Sequence, residues 1–183
     1  NSFASGNASG ILCDFASNLA FIIDDCVFHS NSFGRVVLAH NHYNTNPNFV
    51  GFVIRNSKFY NNNSQYADLQ ISGKGKVINC VLDGNGSYYN DKRGIMIENS
   101  TLGIDIINTI VVNYDNYGVQ SQNNSLLSNI NISNSIFWNN ARSNSLSDKY
   151  QIYASGANGI APNIINIDYS IIQDSISGVT SGP

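Results

Sequence analysis

Few residues in this chain have the type and spacing that chemistry needs. Asp24-Asp25 is the only adjacent acidic pair, and a glycoside hydrolase would need two carboxylates at a defined separation. Lys58, with Arg55 three residues away, could supply the base of a lyase, but no acidic cluster accompanies them. Asp83-Gly84-Asn85-Gly86-Ser87 followed by Asp91 sets oxygen ligands at alternate positions, as a calcium loop does, yet lacks the closing Glu. A Gly-rich turn explains the same string. His40 and His42 would share one side of an extended segment, a minimal metal pair with no third ligand nearby. Cys13, Cys26 and Cys80 are an odd set without metal spacing. No catalytic residue, metal ligand or cofactor is therefore assigned.

Binding has better candidates: His29, Tyr60 and Trp138, which recur at one position of a repeat. The repeat is clearest in Ile130-Asn131-Ile132-Ser133-Asn134-Ser135-Ile136-Phe137-Trp138-Asn139-Asn140. Ile130 and Ile132 alternate, Ser133-Asn134 interrupts, and Ser135 and Phe137 resume one step out of phase. Two short strands joined by a two-residue bend account for this, because strand side chains alternate faces. Centred on the small residue after the bend, the copies fall at Cys26, Ser57, Cys80, Thr109, Ser135 and Ser170, separated by 31, 23, 29, 26 and 35 residues. One coil per copy, with loops of varying length, makes a solenoid.

Each column of the repeat has a direction. Three steps before the centre stand only aliphatics: Ile23, Ile54, Val77, Ile106, Ile132 and Ile167. They are the expected core. The preceding column (Ile22, Val53, Lys76, Asp105, Asn131, Asn166) is mixed and mostly points to solvent. One step before the centre come Asp25, Asn56, Asn79, Asn108, Asn134 and Tyr169, types suited to a left-handed bend. Their amides are expected to hydrogen-bond from coil to coil, satisfying groups otherwise buried unpaired. Three steps after the centre lies an outward column of His29, Tyr60, Asp83, Val112, Trp138 and Gln173. Exposed rings there could stack on sugar rings, or could cover the edges of neighbouring loops. Tyr88, Tyr89, Tyr114 and Tyr117 would add to such a surface if their loops fold towards it.

A third strand per coil is read at Ser9–Cys13, Gly34–Leu38, Asp68–Ile71, Gly94–Ile97, Gly118–Gln120 and Tyr150–Tyr153. Gly ahead of several of them suggests a corner with unusual dihedrals. The longer insertions, 40–48, 83–93 and 141–150, are expected on one face, often the binding face; 143–149 could make a single helical turn. Cys26 and Cys80 lie two coils apart, about 10 Å, too far for a disulfide, and read as small buried residues.

With 183 residues, 42% hydrophobic and 11% charged, the chain can bury one substantial core. About 30 residues are Asn, but regular aliphatic columns argue against a disordered polar tract. A net charge of -3 and a pI near 5.4 give no basic footprint, so nucleic acid is not an expected partner. No apolar run is long enough to span a membrane. The sequence starts without Met or a signal peptide, as a processed or excised segment would, and flanking domains of a longer chain are expected.

Phe28-His29-Ser30-Asn31, Phe59-Tyr60-Asn61-Asn62 and Phe137-Trp138-Asn139-Asn140 resemble the F-x-x-N half-repeat of the polymorphic outer-membrane proteins, a group of right-handed parallel β-helix repeat proteins. Leu82-Asp83-Gly84-Asn85 is a softened copy. The resemblance spans nearly the whole chain and implies a secreted or surface-exposed bacterial protein, commonly adhesive. Neither the Asn-Thr-Asp nor the Gly-His-Gly string of polygalacturonase relatives occurs. The expectation is an all-β chain, one right-handed parallel β-helix (β-solenoid) domain of about six coils over residues 1–183. It would act outside the cell or on its surface as a recognition or adhesion module, contacting a glycan or protein ligand through His29, Tyr60 and Trp138. The alternatives are a polysaccharide lyase or glycoside hydrolase, and a structural spacer stalk.

Overall fold

The computed structural model describes residues 9–14, 21–32, 34–40, 51–85, 91–98, 103–123, 129–140, 150–156, 164–173 and 175–177. Among these residues there are strands, bends and turns but no helix. The strands sort into three parallel sheets of seven, six and six members. Sheet I stacks β2 (Phe21–Asp24), β5 (Phe52–Arg55), β8 (Gly75–Ile78), β11 (Ile104–Ile107), β14 (Asn129–Ser133) and β17 (Ile164–Asp168). Sheet II stacks β3 (Val27–His29), β6 (Lys58–Tyr60), β9 (Val81–Asp83), β12 (Ile110–Val112), β15 (Ile136–Trp138) and β18 (Ile171–Ile172). Sheet III stacks β1 (Ser9–Asp14), β4 (Arg35–His40), β7 (Ala67–Ser72), β10 (Arg93–Glu98), β13 (Val119–Asn123), β16 (Tyr150–Gly156) and β19 (Ser175–Ser177). The chain visits I, II and III in turn, which is a three-sided β-helix of six coils preceded by β1.

The repeat sets the register. Ile23, Ile54, Val77, Ile106, Ile132 and Ile167 are paired in sequence across sheet I, and the first five are buried. Phe28, Phe59, Leu82, Val111, Phe137 and Ile172 do the same in sheet II, with Phe28 and Phe59 stacked at 4.6 Å. Each such side chain contributes roughly 1.5–3 kcal/mol on burial. A one-residue slip would turn a whole coil inside out, so register is strongly specified.

The bend between sheets I and II has the expected left-handed residues: Asp25, Asn56, Asn79, Asn108, Asn134 and Tyr169 have φ of 51°, 53°, 52°, 48°, 49° and 46°. Their side chains are exposed, however. Among the described residues, amide bonding there runs only from Asn79 to Asn56 and from Asn56 to Asp24, so the buried coil-to-coil bonding is made elsewhere. One set is at the centre, where Ser57, Thr109, Ser135 and Ser170 each donate to the carbonyl two residues back. Each of these hydroxyls accepts the amide N–H of the preceding coil's centre. Cys80 donates its thiol likewise to the Ile78 carbonyl. Small size and one polar hydrogen explain the Ser/Thr/Cys column.

The second set explains the F-x-x-N motif. Asn62 accepts from the backbone and side chain of Asn31 and donates to the Phe28 carbonyl of the coil before. Asn140 accepts the Tyr114 N–H and donates to the Val111 carbonyl in the same pattern. Both amides are buried, so the final Asn joins coils from within. The residue just before it takes the second left-handed bend: Ser30, Asn61, Asn113 and Asn139.

Tyr114 occupies the position of that Asn in its own coil, and it is fully buried rather than on a surface loop. An added Cβ at Gly84 would lie 2.8 Å from its Cα, and one at Gly94 would lie 2.6 Å from the Gly118 carbonyl and 3.0 Å from the Tyr114 ring. Gly94 and Gly118 are outside the positive-φ set, so close approach, not unusual dihedrals, requires glycine there. Ser175–Ser177 pairs with β16 and continues sheet III. Of the insertions, 83–93 and 141–150 both connect sheet II to sheet III, while 40–48 connects sheet III to sheet I, so they do not share one corner. The turn expected at 143–149 lies outside the described residues.

Candidate functional site

A three-residue strand with its middle side chain inward must turn both flanking residues outward. Sheet II is built entirely from such strands and one two-residue strand, so it presents two outward columns. One is the expected column of His29, Tyr60, Asp83, Val112 and Trp138, in register across β3, β6, β9, β12 and β15. The other, missed in the sequence, is Val27, Lys58, Val81, Ile110, Ile136 and Ile171. Its signal was present but ambiguous: in Ile110-Val111-Val112 all three residues are apolar, so composition cannot tell inside from outside.

His29 and Tyr60 come together as a stacked pair, with ring centroids 5.4 Å apart and planes within 10°. Trp138 stands on the same face, three strands from Tyr60, about 14 Å away at the usual strand spacing. The three residues therefore share a face but form no continuous aromatic platform. Tyr60 is 38% and Trp138 49% exposed, with Val27, Ile110 and Ile171 exposed beside them. Elsewhere among the described residues only Ile22, Ile164 and Tyr169 are comparably exposed large apolar side chains.

The two left-handed bends border this face. Asn56, Asn79, Asn108 and Asn134 line one side; Asn61, Asn113 and Asn139 line the other. On the second side Asn139 donates to Asn113, which donates to Asp83. Asp83 also accepts the Asn85 N–H. Lys58 and Asp83 are the only Lys, Arg, Asp or Glu on the outward positions of sheet II.

The other tyrosines lie elsewhere. Tyr117 is buried and stacks on Tyr153 at 4.6 Å, while Tyr88 and Tyr89 lie outside the described residues. The outward row of sheet III, Leu38, Gln70, Met96, Gln120 and Tyr153, offers little to solvent, since Gln70, Met96 and Gln120 are buried. On sheet I, Lys74, Lys76, Asp105 and Asn131 line a cleft of about 100 Å³. That is well below the 300–1,000 Å³ typical of a ligand pocket. Its polar groups bond to one another, Lys76 to Asp105 at 3.3 Å and Asn131 to Asp105 at 2.9 Å.

The candidate acids have structural partners. Asp24 accepts from Arg55 at 2.6 Å and from Asn56 at 2.9 Å, and the Arg55 bond holds its carboxyl below the ordinary carboxylate range. Asp25 is the bend residue itself. Asp91 is engaged by Arg93 and Asn116, and 86–90, the middle of the candidate calcium loop, lies outside the described residues. His42 and the side chains of His40 and Cys13 do so as well. Among the described residues no three His, Cys, Asp or Glu side chains are grouped to hold a metal ion. Lys58 is exposed on β6, across the bend from Arg55, which is committed to Asp24. Cys26 and Cys80 are free thiols with Ser57 between them in the stack, and burial raises the pKa of the Cys80 thiol.

Comparison with known proteins matches no curated protein. It matches no solved structure either. The family profile described as the right-handed beta helix region matches residues 1–167, the span that carries five of the six copies of the repeat and nearly all of the three sheets. The chain belongs to the right-handed β-helix family.

Proposed function

We propose that this protein is a recognition or adhesion module, acting on a cell surface or in the extracellular space, that contacts a glycan or another surface component through the outward face of sheet II. One observation carries the reading: Val27, Tyr60, Ile110, Trp138 and Ile171 are all exposed on this one sheet. Clustered exposed apolar side chains rimmed by polar ones mark interaction surfaces, and a ring with one apolar face suits a sugar. Tyr60 and Trp138 are the stacking residues, and His29 supports Tyr60.

The test is glycan-array binding of the wild type beside Tyr60→Ala and Trp138→Ala. Half of a Trp side chain of roughly 200 Å², at ~25 cal/mol per Å², is worth about 2.5 kcal/mol when fully covered. A sugar covering half of that area makes the loss for Trp138→Ala on the order of tenfold. Binding unchanged in both variants rejects this face.

A further inference from the structure

The outward face of sheet II has dimensions and charge that narrow what it can hold. Six strands at about 4.8 Å make a strip about 24 Å long, and two outward residues per strand make it about 7 Å wide. A specific protein partner needs roughly 800 Å² on each side, several times what such a strip offers. Its shape suits one extended chain. That chain must run along the stacking axis, across the strands, because only in that direction do Tyr60 and Trp138 lie on one track.

Charge narrows the ligand further. Lys58 and Asp83 offset each other on the outward positions, and Asp83 is already held by Asn113 and the Asn85 N–H. Among the described residues of this face no array of cations is present to meet a polyanion. What borders the strip is neutral and polar: exposed Asn56, Asn79, Asn108 and Asn134 at one bend, and exposed Asn61 and Asn139 at the other. A side-chain amide can make four hydrogen bonds. The bonds Asn79 to Asn56 and Asn139 to Asn113 use only part of that capacity. Apolar ground with amides on both sides matches a polymer with apolar ring faces and hydroxyl edges.

We propose that the outward face of sheet II binds an uncharged, linear polysaccharide lying along the stacking axis, its ring faces over Tyr60 and Trp138 and its hydroxyls met by the bend asparagines. The inference rests on the recognition reading above and assigns it a ligand class and a direction.

The experiment titrates the 183-residue chain by calorimetry with β-1,4-linked glucose oligomers of two, four and six units and with uronic-acid oligomers of the same lengths, at low and high salt. The neutral series is expected to bind more tightly as length grows, with little salt dependence. Tyr60→Ala and Trp138→Ala should each weaken the six-unit oligomer about tenfold and remove the gain over the two-unit one, which is too short to reach both rings. Lys76→Gln, at an exposed position of sheet I away from this face, should leave binding unchanged. Circular dichroism confirms that each variant keeps its sheets. Salt-sensitive binding of the uronic-acid series alone, lost in Trp138→Ala, overturns this inference and leaves the recognition reading standing. If neither series binds and sedimentation shows self-association abolished by Trp138→Ala, the strip belongs to a second copy, and both readings of a glycan ligand are overturned. No binding and no self-association overturn both as well.

Discussion

Replacing Lys92 by Met should be among the most damaging single changes in this protein. Lys92 and Asp68 are both fully buried, with Nζ 3.2 Å from the carboxylate. The ammonium also donates to the Asn62 carbonyl at 2.7 Å. The carboxylate also accepts from Ser64 at 2.8 Å and from the Tyr114 hydroxyl at 2.6 Å. Methionine keeps most of the stem volume but removes the charge, leaving Asp68 buried with two neutral donors. Breaking a buried pair from one side costs about 3–5 kcal/mol. Lys92→Met with Asp68→Leu removes both charges. It then orphans the Tyr114 and Ser64 hydroxyls and the Asn62 carbonyl, at about 1–3 kcal/mol each. The double variant should therefore lose much less than the sum of the two single variants. Guanidinium unfolding followed by circular dichroism gives each term, and the cycle gives the coupling. If Lys92→Met costs less than about 1 kcal/mol, or the two changes are additive, water reaches this corner and the buried-pair argument is wrong.

Three further outcomes follow from the same packing. Asn62→Leu orphans the Asn31 N–H and the Phe28 carbonyl inside the stack and should cost about 2–3 kcal/mol, whereas Asn56→Gly, at an exposed left-handed bend, should stay within about 1 kcal/mol. Equal effects on the unfolding midpoint would refute the division between the two bends. Burial and the neighbouring Asp68 push the Tyr114 phenol well above its ordinary pKa. The native state thus holds this proton more tightly than the unfolded chain, so stability from this source is complete below about pH 10 and is lost as pH rises beyond it. Alkaline unfolding should therefore be shallower in Tyr114→Phe. Alkylation read peptide by peptide should modify half-buried Cys26 in the folded protein and Cys80 only on unfolding, since burial disfavours the Cys80 thiolate. Rapid native labelling of Cys80 would show the centre column to be open.

The repeat was legible in the sequence because its physics is local. An aliphatic three residues before a small centre, with Asn or Asp between them, specifies strand, left-handed bend and strand within about seven residues. Six copies agreeing left no other register in which the aliphatic columns stay inside. The left-handed bends at Asn56, Asn79, Asn108 and Asn134 follow from residue type alone. The candidate site was only half legible. His29, Tyr60 and Trp138 were readable as one column, but Val27, Ile110 and Ile171 were not, because an outward aliphatic in a three-residue strand has the composition of an inward one.

What the tertiary structure decided is which groups meet between coils. Tyr114 looked like a surface ring, yet its place in the repeat is that of a buried Asn, and Gly84, just after β9, and Gly94, in β10, make room for it. The amide bonding expected at the first bend is made at the second, where Asn62 and Asn140 point inward. The pairing of Lys92 with Asp68 and of Asp24 with Arg55 joins residues 24 and 31 positions apart. A period-2 pattern states which side of its own strand a residue faces. Only stacking states which neighbour lies above it, and therefore which polar groups are satisfied and which apolar ones remain in water.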